Sequence, residues 1–211
     1  MGTFITIEGG EGVGKTSLTR GLAASLAADG IEVCPTREPG GCAIADKIRR
    51  LFKNKDEDEK ILPHTELMLI AAARAQHVQQ LIAPALAAGK LVLCDRYIDS
   101  TRVYQGCIAK IEPRTVETVI ALTSFACQPQ LTILLESDYH AVAKRLAQRP
   151  TNDTVARYDP TNEQEHLQIR DCYRQVHAQH SERIVKLDTT SLEVDDAVKQ
   201  ARELVRARLA I

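Results

Sequence analysis

Apolar residues recur along this chain in two alternating rhythms. Short, nearly unbroken runs predict five strands: Phe4-Ile5-Thr6-Ile7, Ile31-Glu32-Val33-Cys34, Leu91-Val92-Leu93-Cys94, Leu131-Thr132-Ile133-Leu134-Leu135 and Ile184-Val185-Lys186-Leu187-Asp188. Between them, apolar positions fall three and four apart, which predicts helices over about 17–28, 43–52, 65–88, 114–124, 139–148, 163–180 and 194–209. Gly30 and Gly89 punctuate two helix ends, and Pro84 marks the place for a kink in the longest one. Strand and helix alternate, so the pattern predicts βαβ units and a parallel sheet wrapped by helices on both faces. No internal repeat or linker interrupts it, and a single domain over 1–211 is expected.

The first strand runs into Gly9-Gly10-Glu11-Gly12-Val13-Gly14-Lys15-Thr16, and a helical pattern follows at once. This matches the phosphate-binding loop G-x-x-x-x-G-K-[ST] at every fixed position and in the required strand–loop–helix setting. Such a loop aims backbone N–H groups and a helix N-terminus at an anion. Lys15 is then placed for the β- and γ-phosphates of a nucleoside triphosphate, and the Thr16 hydroxyl for Mg²⁺.

Composition narrows the rest. The chain has 211 residues, 44% hydrophobic and 26% charged, with a formal net charge of −1. That is an ordinary globular balance without the basic footprint of non-specific nucleic-acid binding. Any anionic ligand must therefore be met by locally placed arginines. The six cysteines, Cys34, Cys42, Cys94, Cys107, Cys127 and Cys172, show no C-x-x-C spacing, and a chain of this size does not require disulfide staples. A reducing, cytoplasmic setting is expected, with neither a signal segment nor an apolar run near the roughly 20 residues of a membrane span.

Asp95 ends the third predicted strand, where open α/β sheets place ligands, and can position Mg²⁺ directly or through water. Its neighbour Arg96 is a candidate clamp on a transferring phosphoryl group. Further arginines stand at the same ends of the pattern: Arg37 and Arg49 after the second strand, Arg74 on the long helix, and Arg145, Arg149 and Arg157 around a polar, turn-rich flap over 149–160. A flap bearing arginines can exclude water and clamp charge during transfer. The charged run 53–60 reads as a solvated loop; it lacks the spacing of a calcium loop. His64 and His77 show no partner in the pattern, and His177 with His180 lacks a third metal ligand. Asn54-Lys55-Asp56-Glu57 approaches the guanine-reading N-K-x-D but ends in Glu and follows no strand.

Four segments in order, Gly9 to Thr16, Thr36-Arg37-Glu38-Pro39-Gly40-Gly41, Asp95-Arg96-Tyr97 and Thr101-Arg102-Val103-Tyr104-Gln105-Gly106, resemble the thymidylate kinases over essentially the whole chain. The resemblance implies a three-layer phosphate-loop NTPase fold, a five-stranded parallel sheet flanked by helices with a flexible LID at about 149–160. It implies ATP-dependent phosphorylation of dTMP to dTDP in a cytoplasmic homodimer, with Mg²⁺ accompanying ATP and neither nucleic acid nor membrane as partner. By similarity, Gly9, Gly10, Glu11, Gly12, Val13, Gly14, Lys15, Thr16 and Arg145 meet ATP, while Lys15, Arg96 and Arg149 act in catalysis. Glu11, Glu38, Arg49, Ile70, Arg74, Arg96, Thr101 and Gln105 meet dTMP, and Thr16 and Asp95 the metal. Glu11 matches the loop acid that meets the sugar 3′-hydroxyl, and Arg74 and Gln105 match the readers of the thymine edge. Tyr173 matches a tyrosine on the helix after the flap.

Three positions depart from the family pattern: Ile70 replaces an aromatic stacked on the base, Pro150 to Thr154 alters the flap, and Glu136 replaces an aspartate. They bear on affinity and base choice rather than on reaction type. The alternatives are a kinase of dUMP or of a deoxynucleoside on the same scaffold, or a nucleotide-dependent switch without a small acceptor.

Overall fold

In the computed structural model the described residues are 2–53, 59–148 and 158–209. Five strands, β1 (Thr3–Glu8), β2 (Val33–Arg37), β3 (Leu91–Asp95), β4 (Leu131–Glu136) and β5 (Ile184–Asp188), form one sheet in the order β2-β3-β1-β4-β5. Every neighbouring pair is parallel. Helices α1 (Lys15–Ala28) and α9 (Val194–Leu209) cover one face, and α3 (Pro63–His77) and α6 (Pro113–Ser124) lie on the other.

The strand alternation explains the layers. Ile5 and Ile7 of β1 pack in the cluster that holds Leu22 and Leu26 of α1 and Ala201 and Val205 of α9. Phe4 points the other way, into the cluster with Leu67 of α3 and Val116 and Ile120 of α6. Burying each such side chain contributes roughly 1.5–3 kcal/mol, so the central strand is anchored from both sides. The remaining helices are α2 (Ala43–Lys53), α4 (Ala83–Ala87), α5 (Ile98–Thr101), α7 (Tyr139–Ala147) and α8 (Glu163–Gln179). Side-chain caps start three of the helices: Glu112 accepts from Thr115 N at 2.8 Å, Asp138 from Ala141 N at 2.7 Å and Asn162 from Glu165 N at 3.0 Å.

Three local expectations need correction, and one stretch left unassigned is filled in. The second strand is Val33–Arg37, later than Ile31–Cys34, and it runs through Pro35. It lies at the sheet edge, where a residue without an amide hydrogen is tolerated. The long helix is divided by a π turn, Val78–Ile82, just ahead of Pro84, which has no amide hydrogen for an i→i−4 bond. Residues 98–108, which the sequence pattern leaves in or beside a helix start, are helical, α5 continuing as a second π turn, Arg102–Ile108. Cys107 and Cys172 are joined in a disulfide that ties this second π turn to α8; Cys34, Cys42, Cys94 and Cys127 are free. The sequence separation of 65 between the two half-cystines leaves no local spacing by which to foresee the pair.

Candidate active site

The parallel register sets Ile7 opposite Asp95, so the loop after β1 and the turn after β3 emerge side by side. Gly9 has φ +139°, and a Cβ there would lie 2.5 Å from the Leu135 carbonyl oxygen, so only glycine lets the loop leave the sheet here. Lys15 opens α1, is buried, and donates from Nζ to the Gly10 carbonyl; Glu11 Oε2 lies 3.7 Å away. Burial first, and then Arg96, pushes its ammonium below the ordinary 10.5. An ammonium so placed gains from meeting phosphate oxygens. The Thr16 hydroxyl donates to Asp95 Oδ2 at 2.8 Å, which unites the two residues expected at the metal.

Arg96 is the hub. It adopts a left-handed backbone, φ 69°, sparsely populated by side chains of this size, and its N–H donates to the Ile7 carbonyl at 2.9 Å. Nη1 donates to the Gly9 carbonyl (2.9 Å), Ser100 Oγ (3.0 Å) and Tyr173 OH (2.9 Å), and Nη2 to Glu11 Oε1 (2.7 Å). The guanidinium also stands 5.2 Å from the Tyr104 ring centroid. Burial opposes the charge, but Glu11 foremost among its neighbours holds the guanidinium firmly protonated.

Beneath it lies Glu8, a residue that the sequence pattern shows only as the end of a strand. Its carboxylate accepts from Tyr97 N (2.7 Å), Ser100 N (3.2 Å), Ser100 Oγ (2.6 Å) and Tyr173 OH (3.2 Å). Burial, helped by the nearby Asp99 charge, raises its pKa from 4.5 to about 7, against the pull of Arg96. Asp99 itself is buried between Arg183 (2.7 Å) and Arg102 (2.8 Å). Although burial disfavours its charge, those arginines hold its carboxyl below the ordinary range.

At the other end of the cleft lies a second buried charged group. Arg74 donates from Nε to Glu38 Oε2 (2.8 Å) and from Nη2 to Thr101 Oγ1 (2.8 Å) and the Tyr97 carbonyl (3.3 Å). Its Nη1 is buried without a hydrogen-bond partner among the described residues. His77 completes the set, Nδ1 3.2 Å from Glu38 Oε1 and Nε2 2.7 Å from Thr36 Oγ1. The histidine read as partnerless therefore supports Glu38, and Gly41 must be glycine because a Cβ there would lie 2.4 Å from the His77 ring. Gln105 Nε2 donates to Glu66 Oε1 at 2.8 Å, and the same oxygen accepts from Tyr158 OH. Ile70 lines the cleft beside this group.

Of the expected residues that are described, all but Gly9, Gly10 and Tyr173 line one cleft of roughly 1190 Å³, larger than a pocket for one drug-sized ligand. Arg49 lines it, held by the Pro39 carbonyl at 2.9 Å, and Arg145 reaches it while donating to Ser137 Oγ at 3.1 Å and to the Thr189 carbonyl. Arg37 turns to Asp46 at 3.0 Å. Arg149 and Arg157, with most of the expected flap, lie outside the described residues. Glu8, Glu66 and Ser100 were missed because their partners come from distant segments. Glu136, the departure after β4, is engaged by Arg174 at 2.9 Å.

A five-stranded parallel sheet with a phosphate loop after its central strand, sharing one cleft with a set of arginines, defines the class of phosphate-loop phosphotransferases. A family profile described as thymidylate kinase matches residues 7–201. The chain is 40% identical to the thymidylate kinase of Geotalea uraniireducens, covering 100% of this chain and 99% of that one. It is 37% identical to that of Halalkalibacterium halodurans, with 100% and 99% covered. Its structure matches the crystal structure of thymidylate kinase from Ehrlichia chaffeensis with a TM-score of 0.73 at 25% identity, covering 97% of this chain and 98% of that one. The chain belongs to the thymidylate kinase family.

Proposed function

We propose that this enzyme transfers the γ-phosphoryl group of ATP to the 5′-phosphate of dTMP, giving ADP and dTDP. The observation that carries the reading is the continuity of the cleft: Arg96, linked through Glu11 to the phosphate loop, stands between Lys15 and the Arg74–Gln105 pocket. ATP binds with its β- and γ-phosphates on the loop amides and Lys15, and the monophosphate's phosphate lies by Arg96 and Arg49. The base enters among Ile70, Arg74, Thr101 and Gln105, and the sugar 3′-hydroxyl meets Glu11. Phosphoryl transfer of this kind needs positioning and charge stabilisation more than covalent chemistry. Lys15, Arg96 and, on flap closure, Arg149 supply the charge. The Thr16 hydroxyl and the Asp95 carboxylate are hard oxygen donors that fit Mg²⁺, which is typically held by few protein ligands and by substrate phosphates. When bound, Mg²⁺ screens the phosphate charge.

The working unit is read as a cytoplasmic homodimer; exposed Leu62 and Met68 at α3 and Leu122 on α6 support an apolar contact, since those helices pack together. No described helix is long and apolar enough to cross a membrane. The test is ADP release from ATP and Mg²⁺ with a panel of nucleoside monophosphates. dTMP should be the best acceptor, and a better rate with dUMP or dCMP, or none with dTMP, would overturn the substrate assignment.

A further inference from the structure

Glu66 lies outside the phosphate loop and the arginine set, yet it is 2% exposed and faces the cleft. Two donors converge on its Oε1: Gln105 Nε2 at 2.8 Å and the Tyr158 hydroxyl. An ionised carboxylate only accepts hydrogen bonds, whereas the two ends of a glutamine amide are opposite in kind. Glu66 therefore dictates which end of Gln105 it receives. The amide nitrogen is drawn to the carboxylate, and the amide oxygen, which accepts no hydrogen bond among the described residues, is left as an acceptor. Eight residues further along α3, Arg74 has Nε and Nη2 engaged and, among the described residues, Nη1 buried without a partner. A guanidinium has donors alone. The base end of the cleft thus combines one donor, Arg74, with one acceptor, Gln105, both lining the same space.

We infer that Glu66 is a positioning residue for base selection, orienting the Gln105 amide so that the pocket accepts 4-oxo pyrimidines and rejects 4-amino pyrimidines. This rests on the dTMP reading above. The edge of thymine or uracil offers the N3–H donor beside the O4 acceptor and is complementary to acceptor plus donor. Cytosine reverses both, an N3 acceptor beside the N4 amino donor, so it would face like against like. Buried polar groups left unpaired in that way give discrimination well beyond that of shape alone. Replacing Glu66 by a group that both donates and accepts frees Gln105 to turn its amide over and removes the reason for the preference.

The test is the ratio of kcat/KM for dTMP to that for dCMP in wild type, Glu66→Gln, Gln105→Leu and the double variant. A ratio is independent of the fraction of active protein, so a loss of stability alone does not move it. Glu66→Gln should lower the ratio about tenfold or more, chiefly through KM, with kcat for dTMP within about threefold of wild type. Added to Gln105→Leu, it should lower the ratio no further, since Glu66 acts through Gln105. If Glu66→Gln does not fold, Glu66→Asp, which draws the carboxylate back by one methylene, should shift the ratio in the same direction by less. An unchanged ratio in the variants that fold, or effects that multiply in the double variant, would overturn the inference. Wild-type protein inactive on dTMP would overturn the function reading instead.

Discussion

The two ends of the cleft are built in opposite ways. The phosphate end comes from one contiguous stretch, Gly9 to Thr16, with Arg96 arriving from the neighbouring strand. The base end is assembled from side chains far apart in sequence: Glu38, Glu66, Arg74, His77, Thr101 and Gln105. Its ion pair is also drier, Arg74 and Glu38 being 1% and 4% exposed against 13% and 21% for the Arg96–Glu11 pair. The phosphate end needs its cations balanced loosely enough to meet an incoming polyanion. The base end must satisfy its charges internally whether or not a base is present, and it gains rigidity from doing so.

Breaking each end should therefore damage different things. Arg74→Ala strands the buried Glu38 carboxylate and should cost about 3–5 kcal/mol of folding stability, read from urea unfolding; a loss below about 1 kcal/mol would show that Glu38 finds water or other partners. Arg96→Ala should lower kcat on the order of 100–1000-fold, because it removes charge where the transferring group passes. Near-normal turnover in that variant would remove Arg96 from the chemistry. A smaller effect is expected from Ile70→Phe, which restores the family's aromatic at the base. A base–aromatic stack contributes roughly 1–3 kcal/mol, so KM for dTMP should fall by about tenfold with little change in kcat. An unchanged KM would mean that the backbone at this position cannot bring a ring over the base.

The smallest effect concerns Glu8, which lies under the phosphate end yet resembles the base end in burial. Folding raises its pKa from 4.5 to about 7, so the folded chain binds this proton more tightly than the unfolded one. Its contribution to stability is present below pH 4.5 and declines as pH rises through about 7. Glu8→Gln should flatten that part of the stability profile, and Tm measured at intervals from pH 5 to about 8 checks it. A slope identical to wild type would place the proton elsewhere in the cluster.

Legibility in the sequence follows the same division. Strand order of appearance, layer architecture and the phosphate loop could be read because each depends on a local period or a contiguous motif. The roles expected of Arg74, Gln105 and Glu38 came from resemblance, and they do converge on one pocket. Glu66 and Glu8 escaped notice because a buried acid is legible only through its partners, and Gln105 lies 39 residues from Glu66 while Tyr173 lies 165 from Glu8. His77 escaped for the same reason, 39 residues from Glu38. The π turns were not foreseen, since a single i→i+5 turn within a helix is too short to leave a period of its own.

The Cys107–Cys172 bond makes the segment between them a covalent ring that includes α6, β4, α7 and the first part of α8. Protease cleavage anywhere inside that ring, the expected flap included, would yield a nicked molecule whose two pieces migrate as one band until a thiol reductant is added. Gln105 and Tyr173, each within two positions of a half-cystine, would then remain tethered across the cut.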